Sequence, residues 1–137
     1  MVKHFNPSSN HATRAVQAWQ ILIGLAMNRQ TIRYRVLETI MHRKAMSGGT
    51  IGAILGHIAA YCIDNKLPEL NLIVINATGL PGHGVPVDSD NLLSRREKVY
   101  DTDWYNIRTP SEEEFRIAFE KWGDEMALQV RANEYSV

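Results

Sequence analysis

The first apolar pattern along the chain covers residues 14–28. Val16, Trp19, Ile23 and Met27 recur at helical spacing, and Ile21, Leu22 and Leu25 widen the stripe. This predicts a largely buried helix, with Asn10 or Thr13 as its cap. Asn28-Arg29-Gln30 ends it, and Thr31-Ile32-Arg33 reads as a short extended piece. A second, short helix is predicted over 35–41, burying Val36, Leu37, Ile40 and Met41. The strongest periodicity follows a basic, glycine-ended turn over 42–49. Ile51, Ile54, Leu55, Ile58, Ala59 and Cys62 share one helical face. Gly52, Ala53 and Gly56 on that helix are small, which predicts a close approach by another element. Asp64-Asn65 and Pro68 stop it.

Residues 72–75 read as a strand, β-branched at all three positions after Leu72. A loop rich in glycine and proline follows over 77–86. Leu92, Leu93 and Val99 predict a helix over 92–100, and 101–110 reads as an irregular link holding Trp104 and Tyr105. Ser111-Glu112-Glu113-Glu114 is a capping box with its acids at the positive helix end. Phe115, Ala118, Phe119, Trp122, Met126 and Val130 then form one apolar face of a last helix. Two helices joined by a tight turn, then a strand and loop, is the plan of a winged helix-turn-helix. The expected fold is therefore α+β, mainly α: a winged helix-turn-helix core with a helical, acidic C-terminal extension. A flexible tail over 1–12 precedes a core over 13–100, and the acidic helical extension over 101–137 packs on that core.

The length of 137 residues suits one domain with a core of its own. A composition of 45% hydrophobic and 22% charged residues excludes disorder, collagen and coiled coil as the main account. The apolar stretch over 21–27 is too short to span a bilayer, so no membrane partner is expected. The opening residues lack a secretory pattern, and the single cysteine, Cys62, cannot form an internal disulfide. Both point to the cytoplasm. The formal net charge is zero, but it is unevenly distributed. Residues 1–66 hold eight Lys/Arg against Glu38 and Asp64, a net +6; residues 67–137 carry −6. Either the basic half faces an anionic partner, or the halves attract each other within the fold.

Three segments, AVQAWQILIGLAMNRQTIRYRVLETIM, GGTIGAILGHIAAYCIDNKLPELNLIVIN and TGLPGHG, carry a resemblance over about residues 15–86. Together they resemble the C-terminal DNA-binding domain of the alkylguanine-DNA alkyltransferases and their cysteine-less relatives, the alkyltransferase-like proteins. The resemblance implies a winged-helix fold and contact with double-stranded DNA. Tyr34 stands where that family has its base-rotating tyrosine. The family's intercalating arginine maps near Gly49, and Arg43 and Lys44 are the nearest basic residues. The Pro-Cys-His-Arg motif is absent; its place falls at Ile75-Asn76-Ala77. This argues against suicidal alkyl transfer, and no other nucleophile–base or acid pair marks an enzyme.

Cys62 sits late on an amphipathic face and reads as a core thiol rather than a nucleophile. No metal-ligand spacing or cofactor motif occurs, so neither is expected. Gly79, Gly82 and Gly84 lack the Lys-Ser/Thr of a phosphate loop and read as a structural wing, with His83 at its tip. Arg33, Arg35, Arg43 and Lys44 surround the predicted turn and suit phosphate contacts. Thr50 stands at a helix start, where free N–H groups favour a phosphate. His57 is one position off the apolar face, free to project outward, and joins the candidate DNA contacts. Tyr34 is either a base or phosphate contact or a half-buried core residue. Two functions fit: a non-enzymatic DNA-binding protein sensing damaged or flipped bases, or a module that binds a nucleic-acid-handling protein. The second would use the acidic half, with Asp101, Asp103, Trp104 and Tyr105 as a docking stretch or as a segment packed back on the core.

Overall fold

The computed structural model describes residues 1–5, 9–42, 48–76 and 89–135, with side chains at 1–5, 9–41, 50–76, 91–123 and 125. Helix α1 spans His11–Met27. It begins three residues before the apolar stripe because the Asn10 side chain accepts from the Thr13 N–H at 2.8 Å and caps it. Asn10 also donates to Glu112 Oε1 at 3.0 Å, tying this helix start to that of the last helix. Helix α1 ends in a Schellman turn. Arg29 takes φ 54°, and the Gln30 and Arg29 N–H groups donate to the Leu25 and Ala26 carbonyls.

Strand β1, Ile32–Arg33, leads into helix α2, Tyr34–His42, and helix α3, Gly48–Asp64. Helix α3 closes with a second Schellman turn, with Lys66 at φ 56° and Leu67 N–H donating to the Cys62 carbonyl at 2.8 Å. The chain then forms a 3-10 turn, Leu70–Ile73, before strand β2, Val74–Ile75. The predicted strand over 72–75 is therefore halved. Its partner β1 offers only two residues before α2 begins, and Leu72 N–H is used by the turn, donating to the Glu69 carbonyl. The two strands pair in parallel, Ile32 with Val74 and Arg33 with Ile75, because two helices, not a hairpin, connect them. Helix α4, Ser89–Tyr100, a short turn, Trp104–Asn106, and helix α5, Glu112–Tyr135, complete the chain. The fold is α+β and mainly helical.

The core forms where α3 lies against α1, α5 and the Leu70–Ile73 turn. Trp19 of α1 sits at its centre, fully buried, with its ring 5.5 Å from Trp104, 5.8 Å from Phe115 and 5.6 Å from Tyr61, all edge-on. Trp104 donates from Nε1 to the Val99 carbonyl at 2.7 Å, which fixes the link over 101–110 against α4. The capping box of α5 forms as expected. Glu114 N–H donates to Ser111 Oγ, and Ser111 N–H donates to Glu114 Oε1. Phe115 and Ala118 are buried and Phe119 and Trp122 half-buried; the side chains of Met126 and Val130 lie outside those described. The close approach expected on α3 occurs at Gly56, where an added Cβ would stand 3.2 Å from the Phe119 ring.

Candidate nucleic-acid interface

Strand β1 and helix α2 place the basic residues. Pairing of Arg33 with Ile75 holds the end of β1 in register, and the Arg33 side chain stands in solvent. Tyr34 opens α2 half-buried and packs against the core, so its aromatic body has a structural role. Arg35 is exposed, and its carbonyl accepts from Thr39 Oγ1 at 2.9 Å. Leu37 and Met41 face inward and are buried. The far end of α2 is tied to α1 by Gln17 Nε2, which donates to the Met41 carbonyl at 2.7 Å.

Two expectations for α2 and α3 are corrected. Val36 and Ile40 are not buried; they are 49% and 51% exposed. The inward face of α2 is made by Leu37, Glu38 and Met41, and Val36 and Ile40, one turn apart, face outward beside Arg35. His57 does not project outward. It is 7% exposed, stacked on the Phe119 ring at 4.0 Å, with Nδ1 donating to the Ala53 carbonyl at 2.7 Å. Burial, and then the nearby His11, hold its imidazole below the ordinary histidine value, against the opposing Ala53 bond. His57 is therefore not a surface contact for DNA, because Phe119 of α5 covers that side of α3.

No side chain between Thr50 and Asp64 is exposed, and Thr50, in the first turn of α3, is half-buried. The flank of α3 from Thr50 to Asp64 therefore offers no exposed side chain. Arg43, Lys44 and His83, with the glycine loop, lie outside the described residues.

The basic and acidic halves attract each other within the fold. Arg29 pairs with Glu97 and, at 3.3 Å, with Asp101, and its guanidinium lies 5.1 Å over the Tyr100 ring. Lys121 reaches Asp64 at 2.7 Å. These interactions join the basic and acidic halves. Arg33 and Arg35 make no ion pair among the described residues. The acidic-aromatic stretch packs back on the core through Trp104, while Tyr105 is 63% exposed.

Cys62 is fully buried, and burial pushes its thiol up to about 12, so it is a core residue without thiolate character. Among the described residues no group of three or more His, Cys, Asp and Glu is placed to hold a metal ion. Among them, too, no helix is long and apolar enough to cross a membrane. Comparison of the chain with protein families, curated proteins and solved structures returns no match.

Proposed function

We propose that this chain is a non-enzymatic DNA-binding protein that docks through β1, α2 and the first turn of α3. One observation carries the reading: Arg33 and Arg35 stand exposed without an acidic partner among the described residues, whereas Arg29 and Lys121 are paired. Unpaired arginines on one surface suit phosphate contacts, which position a protein without reading sequence. Helix-turn-helix proteins touch base edges with the N-terminal residues of the second helix. An end-on approach through Thr50 therefore needs no exposed flank on α3. On this reading the likeness to alkyltransferase-like proteins extends to sensing damaged or flipped bases. Extruding such a base costs less than extruding a paired one.

The test is fluorescence anisotropy of labelled duplex DNA, plain and carrying an alkylated guanine, across a salt series. Saturable, salt-sensitive binding is expected. Replacing both Arg33 and Arg35 by Glu should lower the log–log salt slope by about 2, near 0.9 for each phosphate left without its arginine. Absence of binding at low salt would sink the proposal. A second reading, a protein-interaction module, is favoured by the exposure of Val36 and Ile40 on the same face. It requires binding to a protein partner that resists salt and is abolished in Val36→Asp with Ile40→Asp.

A further inference from the structure

The opposite end of α3 holds a cavity of about 410 Å³ between the Lys66–Leu72 segment and α4. Along the axis it lies about 20 Å from Thr50, at 1.5 Å per residue, so it is separate from the interface proposed above. Its walls combine two chemistries. Leu67, Pro68 and Leu72 supply apolar surface, and Lys66, Arg95 and Lys98 supply positive charge. The one carboxylate in the lining, Glu69, is paired with Arg95. Lys66 and Lys98 make no ion pair among the described residues. Both lysines are exposed, so they stand as solvated cations at the mouth of the cavity, although residues 67–137, which form most of its lining, have a net charge of −6.

The segment is held firmly enough to keep this shape. Lys66 sits at the left-handed position of the Schellman turn, where glycine is usual. Arg96 Nε donates to the Leu72 carbonyl at 3.2 Å, fastening the turn to α4. The side chains of Glu69 and Arg95 are only 17% and 25% exposed, so their pair is partly withdrawn from water. Burial raises the Glu69 carboxyl from its ordinary value, and Arg95 opposes that rise. The cavity is an open cleft of mixed polar and apolar lining, within the size range of small-ligand sites.

From these features we infer that the cavity binds a small organic anion, an apolar or aromatic body bearing a carboxylate or phosphate. The body lies on Leu67 and Leu72, and the anionic group lies between Lys66 and Lys98.

The test uses the isotope-labelled full chain and amide NMR titrations with four probes: phenyl phosphate, benzoate, inorganic phosphate and benzyl alcohol. Phenyl phosphate or benzoate should give saturable shifts confined to residues 66–72 and 95–98, and the stronger of the two identifies the anionic group. Inorganic phosphate and benzyl alcohol should each bind at least tenfold more weakly. Lys66→Glu with Lys98→Glu should weaken the best probe at least tenfold while leaving the amide spectrum elsewhere unchanged. The single Lys98→Ala variant gives a milder second reading, and Lys3→Glu should have no effect. The inference is overturned by non-saturating shifts spread over all lysines, by equal binding of benzyl alcohol or inorganic phosphate, or by unchanged affinity in the double variant. Because α2 is untouched, none of these outcomes bears on DNA binding.

Discussion

Helices α2 and α3 follow each other in the chain yet present opposite surfaces. Helix α2 leaves Arg35, Val36, Thr39 and Ile40 in solvent, whereas α3 exposes no side chain between Thr50 and Asp64. The reason is the number of neighbours. Helix α3 is packed by α1, by α5 and by the Leu70–Ile73 turn, while α2 leans on β1, β2 and one end of α1. Helix α3 is the central packing element. Surface chemistry is left to α2 and to the two ends of α3.

Four measurements test that contrast, starting with the largest effect. Ile58, fully buried on α3, should cost about 2–5 kcal/mol of stability on truncation in Ile58→Ala, read by denaturant unfolding. A small change would mean that α3 is less enclosed than its burial implies.

The second concerns pH. His57 has a folded-state value below its ordinary 6.5. The unfolded chain therefore binds more protons than the native state between those two values, and stability rises with pH across that window. Stability from this group is complete above about 6.5 and is lost as pH falls toward the folded value. Thermal melts of wild type and His57→Gln across this range should diverge, with the variant showing the flatter profile. Parallel profiles would place His57 in solvent.

The third compares the Schellman turns that end α1 and α3. Lys66→Gly relieves a left-handed backbone and should stabilise by about 0.5–1 kcal/mol. Arg29→Gly relieves the same strain but gives up Glu97, Asp101 and Tyr100 as partners, so its melting temperature should stay at the wild-type value. Equal gains at both positions would show that the Arg29 side chain contributes nothing. The smallest effect is expected on the outer face of α2. Val36→Ala and Ile40→Ala should each change stability by no more than about 0.5 kcal/mol, because both side chains are half in water.

Much of this architecture was legible in the order of residues. The inward face of α3, from Ile51 to Cys62, is buried as its periodicity required. Asn10 and the Ser111–Glu114 box cap their helices as their chemistry dictates. Cys62 is a core thiol for the reason its position indicated. These features depend on local spacing and local hydrogen bonds, which a sequence states directly. The site was less legible. Val36 and Ile40 carry the same apolar signal as Leu37 and Met41, and nothing local says which pair meets α1. His57 lies off the apolar stripe of α3, and it is Phe119, over sixty residues away, that covers it.

The sequence by itself therefore determined the helices, their caps, the inward stripe of α3 and the uneven charge. Tertiary structure alone decided which cations remain unpaired among the described residues, that two apolar residues of α2 face water, and that Lys66 and Lys98 line the same cavity. Periodicity and capping act over a few residues. Pairing, enclosure and cavities depend on which distant segments arrive at the same place.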